Sequence, residues 1–264
     1  PRRHLHGEGA QRALEDYMAT DDTKEFLAAV YAPLPDGLWG YIWTARGKTS
    51  YSFRTTDHAA RLVAQHGNGT DVYCGVGLSH APLPSDRRVT DSTAAARIAL
   101  VLDIDADGAD MRQPEKRVGE PQPGERHPLG TEADEVLQRI SAALVPPSVV
   151  VASGRGGYHC WWVYEQPWVI ELDEERQGLA AMARRWQAAC VRASGHHLDS
   201  VADLARILRV PGTHNTKYGG PYPVTLVSLG TRYDPADLAA LVPQEQKAPR
   251  TDRLTAYIHK AVEG

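Results

Sequence analysis

The order of apolar runs and chain breakers predicts an α+β fold, a mixed and mainly antiparallel sheet with flanking helices. Three observations carry this. Two strand-like runs at 38–44 and 49–54 alternate aromatic and polar residues around an Ala-Arg-Gly-Lys turn, the pattern of a hairpin. Residues 96–102 (ARIALVL) are apolar enough to be a strand covered on both faces. Helical stretches fall between strands at irregular intervals, unlike the regular alternation of a doubly wound parallel fold.

The elements follow in order. Residues 1–10 are polar, and 11–31 hold Leu14, Tyr17, Met18, Phe26, Leu27 and Val30 at spacings that suit one or two short amphipathic helices, stopped by Pro33 and Pro35. After the hairpin come a short helix at 56–65 and a strand at 71–77. Beyond the apolar strand, residues 107–130 carry four prolines and many charges with almost nothing to bury, the composition of a long surface loop. A helix is expected from Thr131 through Leu144 and a β-branched strand at 148–152. A second strand follows at 161–164. Residues 173–194 give the clearest helix: Leu179, Met182, Trp186 and Cys190 form one stripe and Gly195 is placed to cap it. A shorter helix is expected over 200–208, then a strand at 223–229 and a weak helix around Leu238 and Leu241. This divides the chain into an N-terminal helical segment (1–36), a core (37–230) and a helical tail or linker (231–264).

Composition excludes several classes. In 264 residues, 29 Lys+Arg against 33 Asp+Glu leave a net charge of −4, which argues against a protein that coats nucleic acid by bulk charge. No run approaches the ~18–20 apolar residues of a membrane span, and no signal peptide opens the chain. Three scattered cysteines cannot build a disulfide scaffold, so a reducing cytoplasm is expected. The chain begins with Pro1, not Met, the start expected of a fragment or a processed product.

Three segments carry chemistry. Asp103-Ile104-Asp105 closes the apolar strand; residues i and i+2 share a strand face, so both carboxylates can serve hard divalent cations such as Mg²⁺ or Mn²⁺. As a competing account, Asp is common at strand ends as a turn former. Ser153-Gly154-Arg155-Gly156-Gly157-Tyr158-His159 follows the strand at 148–152. Its glycines allow a ligand close to the backbone, and its Ser, Arg and His suit an anion. A plain glycine hairpin explains the glycines but not their neighbours. The third segment runs from Asp199 to Lys217, with Asp203 and Arg206 spaced to pair, Asp199 as the N-cap of the expected helix, and Arg209, Thr213, Asn215 and Lys217 around a Pro-Gly turn. Residues 176–217 hold seven Lys/Arg against two acids, a positive stretch in an acidic protein.

In this order, Asp-x-Asp, Ser-Gly-x-Gly-x-x-His, then a single Asp leading to Arg-x-x-Arg-x-Pro-Gly-Thr-x-Asn-x-Lys, the chain resembles the archaeo-eukaryotic primase superfamily, and within it the primase–polymerase domains of phage and plasmid replication proteins. The resemblance spans about 37–229. It implies an RRM-like catalytic core and template-directed nucleotidyl transfer by a two-metal mechanism. Asp103, Asp105 and Asp199 would be the metal ligands, with Asp203 competing with Asp199 for the third position. His159 would contact the triphosphate, beside Ser153 and Arg155, with Lys217 and Arg209 as further phosphate-binding residues. The implied partners are NTP or dNTP, a single-stranded DNA template and a helicase domain in the same full-length protein, in the cytoplasm of a bacterial host. Trp161 and Trp162 adjoin these residues, but strand alternation sends only one of them toward the site, and core packing explains both. Three alternatives are a non-catalytic single-strand-binding module, which leaves the carboxylates unused, a glycosyltransferase using Asp-x-Asp, and a rolling-circle nickase, for which His4-Leu5-His6 supplies the pattern without a matching tyrosine.

Overall fold

The computed structural model describes residues 20–32, 34–105 and 131–242. The expectations for 1–19, for 107–130 and for the tail beyond Val242, with His4 and His6, lie outside the described residues. Helix α1 (Asp21–Tyr31) starts where Thr20 accepts a hydrogen bond from Thr23 N. Strands β1 (Gly40–Thr44) and β2 (Thr49–Phe53) form the expected hairpin, and α2 (Thr56–His66) is capped by Thr55. Next come β3 (Val72–Gly75), β4 (Gly77–Leu78) and β5 (Ala96–Ile104), then α3 (Ala133–Ala143), β6 (Val149–Ala152) and β7 (Tyr158–Val169). Helix α4 (Asp173–Ser194) has the limits its sequence stripe predicts. The Glu175 carboxylate accepts from Leu172 N at its start, and left-handed Gly195 ends it. Short strands β8 (Ile207–Arg209) and β9 (Thr213–Asn215), then β10 (Tyr222–Leu229) and α5 (Pro235–Leu241), complete the order.

One expectation is overturned. Residues 200–208 are not a helix. Leu204 N donates to Asp91 Oδ1, Val76 N donates to Arg206 O, and the segment ends as β8, antiparallel to β3. Val201, Leu204 and Leu208, whose spacing in the sequence suggests one face of a helix, are indeed buried, but distant partners take up the backbone that a helix would have satisfied internally. Asp199 therefore caps no helix.

Two antiparallel sheets result, β2-β1-β3-β8 and β4-β5-β7-β6-β10-β9. The first core lies between one face of the six-stranded sheet and the other sheet with α1 and α2; Phe26, Ile42, Phe53, Val101, Val151 and Trp161 belong to it. The second, with Leu102, Cys160, Trp162, Met182, Trp186 and Ile140, fills the opposite face under α3, α4 and α5. Trp161 and Trp162 are thus both core residues, 0% exposed: one meets Phe26 edge-on at 5.5 Å, the other Trp186 at 5.0 Å. Among the described residues no helix is long and apolar enough to cross a membrane.

Candidate active site

Pleat alternation decides what appears at the end of the six-stranded sheet. Ala99 and Val101 of β5 face the first core, and the next residue on that face is Asp103. Across the ladder Asp103 is paired with His159, and His159 with Val151. Ser153 and Asp105 continue the same parity past the strand ends. An apolar row therefore turns polar at the end of the sheet.

A cavity of about 470 Å³ opens there. Asp103, Asp105, Ser153, Arg155 and His159 line it from the six-stranded sheet. Trp43, Tyr73, Arg88 and Arg209 line it from the four-stranded sheet or its flanks, and Asp199, Arg206, Asn215 and Lys217 line it from the connecting segments. Asp103, Asp105, Asp199, Ser153, Arg155, His159, Arg209 and Lys217, singled out in three separate stretches of sequence, meet in this one space. Trp43, Tyr73 and Arg88 carried no such signal, because they lie far along the chain from the motifs they join.

The electrostatics follow from burial. Desolvation raises the Asp103 pKa to about 6; the Asp199 charge adds to the rise, while Arg209, Arg206 and Lys217 oppose it. His159 is 2% exposed, and desolvation, aided by the charges of Arg209 and Lys217, lowers its pKa to about 3. It is therefore a neutral imidazole near pH 7, with a single N–H to donate. Its Nε2 stands 3.7 Å from Asp103 Oδ1, too far for a hydrogen bond, and its buried Nδ1 has no hydrogen-bond partner among the described residues.

The glycine turn has a steric reason. Gly154 sits at φ +94°, and a Cβ there would lie 3.1 Å from Asn215 Cβ and from Tyr222 O. Asn215 ties the turn to the next segment: its Nδ2 donates to Ser153 O, and its Oδ1 accepts from Lys217 N. The Ser153 hydroxyl donates to Gly157 O at 3.2 Å, so it closes the turn, and Arg155 lies over the Tyr222 ring at 5.8 Å. The second motif turn is equally constrained. Gly212, at φ +81°, leaves no room for a Cβ against Thr20 and Thr23, and Thr23 Oγ1 donates to Pro211 O at 2.8 Å. This docks α1 onto the motif.

Arg209 is held from behind. Its Nε donates to Asp71 Oδ1 at 3.1 Å, and its guanidinium lies 5.3 Å from the Tyr73 ring centroid. Burial alone would raise the Asp71 pKa, but hydrogen bonds from Thr216 and Arg209, with the Arg209 charge, outweigh it and keep it below the usual carboxylate value. Like Trp43, Tyr73 and Arg88, Asp71 is a residue that sequence spacing did not point to. Of the two candidate third carboxylates, Asp199 lines the cavity, whereas Asp203 pairs with Arg206 at 2.7 Å. The basic stretch likewise divides: Arg206, Arg209 and Lys217 reach the cavity, while Arg176 and Arg185 donate to backbone carbonyls elsewhere.

Among the described residues no three His, Cys, Asp or Glu side chains form a ready-made metal cluster. The donor chemistry still fits a hard divalent cation. The three lining carboxylates offer only oxygen, and a half-buried carboxylate pushed to about 6, with the Asp199 charge adding to the rise, is stabilised by a cation.

No protein-family model and no curated protein matches the chain. Its fold is nevertheless that of primase–polymerase domains of the archaeo-eukaryotic type. The AEP domain of the cyanophage S-2L primase-polymerase aligns with a TM-score of 0.50 at 15% identity, covering 86% of this chain and 100% of that one. Primase RepB′ aligns at 0.46 and 13% identity over 91% of this chain and 68% of its own. The catalytic domain of primase RepB′ in complex with initiator DNA aligns at 0.45 and 14% over 92% and 98%. At these identities the likeness is one of fold.

Proposed function

We propose that this domain is a DNA primase–polymerase of phage or plasmid replication, joining nucleoside triphosphates on a single-stranded DNA template to make primers and extend them. The observation that carries this is the convergence of three separate motifs on one cavity lined by both carboxylates and cations. Asp103, Asp105 and Asp199 would hold Mg²⁺ or Mn²⁺. When bound, the metal lowers the pKa of the attacking 3′-hydroxyl and offsets charge on the leaving oxygens. Neutral His159 donates its one N–H to a phosphate oxygen. Arg155, Arg209 and Lys217 balance the triphosphate, the preorganised charge on which phosphoryl transfer depends. Asp71 acts through Arg209 as a positioning residue, fixing the direction of its guanidinium. A helicase domain in the same full-length protein would expose the single-stranded template that this domain copies.

The test is a primer-free assay on single-stranded DNA, with NTP or dNTP and Mg²⁺ or Mn²⁺. Metal-dependent products that begin with a triphosphate and vanish in Asp103→Ala support the proposal. DNA binding by the parent protein with no synthesis under any condition overturns it in favour of a non-catalytic binding module.

A further inference from the structure

The four-stranded sheet and its flank bring to the cavity a row of four side chains of which the proposed phosphate and metal binding uses only Arg209. Trp43 of β1 and Tyr73 of β3 are cross-strand partners whose ring centroids are 5.5 Å apart, tilted by 58°. Arg88 lies over the Trp43 ring at 5.0 Å, and Arg209 over the Tyr73 ring at 5.3 Å. All four line the cavity. Their strand neighbours Ile42 and Cys74 are fully buried in the first core, so pleat alternation turns Trp43 and Tyr73 to the other side, where both stay half-buried. Trp43 also packs against the buried cluster around Tyr41 and Leu204, and two large rings so supported, partly uncovered in the cavity and flanked by guanidinium planes, make a surface for a flat heteroaromatic ligand.

The order of the row gives it direction. Arg209 belongs both to this row and to the cations assigned to phosphate, so a nucleotide held by its phosphates at Arg209 and Lys217 can lay its nucleoside end along Tyr73 toward Trp43 and Arg88. We propose that Tyr73 and Trp43 are a nucleobase-stacking platform, with Arg88 as its outer clamp. This rests on the primase–polymerase proposal and adds the recognition of the base. The base comes from one of two sources, the incoming triphosphate or the template strand, and both present the same planar ring.

The experiment measures binding in Mn²⁺ for four probes: GTP, inorganic tripolyphosphate, a single-stranded DNA oligonucleotide, and the same oligonucleotide with abasic sites. Wild type is compared with Trp43→Ala, Trp43→Leu and Trp43→Phe, each checked by its melting transition. A base stacked on an aromatic side chain predicts about a 5- to 150-fold loss in Trp43→Ala. A matching loss in Trp43→Leu, with Trp43→Phe retaining most of the affinity, keeps the test valid if the alanine variant unfolds. Loss for GTP with tripolyphosphate unchanged assigns the platform to the incoming nucleotide. Loss for the intact oligonucleotide with the abasic one unchanged assigns it to the template, and either result supports the proposal. Equal losses for probes with and without bases, or no loss for any, overturn the platform and leave the phosphate site standing. Wild-type protein that binds none of the four probes overturns both proposals.

Discussion

Asp103→Asn is expected to make the protein more stable while abolishing synthesis. The variant keeps the side-chain volume and removes a charge that burial opposes. The rise of the Asp103 pKa from 3.8 to about 6 corresponds to about 3 kcal/mol at 1.36 kcal/mol per pKa step. Because 28% of the side chain reaches solvent, about 1–2 kcal/mol is the expected share. For a domain of this size that is about 3–6 °C in Tm. The sign is set by the direction of the shift. The folded pKa lies above the unfolded one, so the penalty on the folded state is absent below about 3.8, grows through the interval and is complete above about 6. The gain should therefore be full at pH 8 and nearly absent at pH 4. His159, lowered to about 3, contributes to both proteins alike. The assay is thermal unfolding of wild type and variant at both pH values in EDTA, repeated with Mg²⁺, which should stabilise only the wild type. A gain that is equal at pH 4 and pH 8, or a loss at pH 8, refutes the reasoning.

Three further outcomes are expected. Asp199→Ala should remove primer synthesis, whereas Asp203→Ala, which breaks only a half-exposed ion pair with Arg206, should keep most of it; product yield per enzyme on single-stranded template measures both. Gly154→Ala, at φ +94° against Asn215 and Tyr222, should cost about 1–3 kcal/mol and weaken tripolyphosphate binding, read by urea unfolding and titration. Trp162→Ala should cost about 3–5 kcal/mol in the same unfolding experiment, because the ring is fully buried against Trp186 and its Nε1 donates to Val145 O.

What the sequence disclosed was local, and what it concealed was set by distant partners. The limits of α4 follow from one stripe and one glycine, both within the helix. The glycine turn and its polar neighbours were legible because φ > 0 and close approach leave a mark on composition. The segment 200–208 misled because apolar spacing reports which residues are buried, not who bonds their backbone. Asp91 and β3, more than a hundred residues away, decided that. Asp71 and the Trp43–Tyr73 pair were silent for the same reason. A lone Asp before a strand and an aromatic in a hairpin have ordinary explanations until the two sheets meet.

The pairing of Asp71 with Arg209 also bears on what the cavity can attract. Counting its lining groups and their direct partners, five cations (Arg88, Arg155, Arg206, Arg209 and Lys217) face five carboxylates (Asp71, Asp103, Asp105, Asp199 and Asp203). With His159 uncharged, the charges of these described groups balance. Divalent cations held by the carboxylates would tip this balance toward positive charge, so triphosphate affinity is expected to climb with divalent-ion concentration.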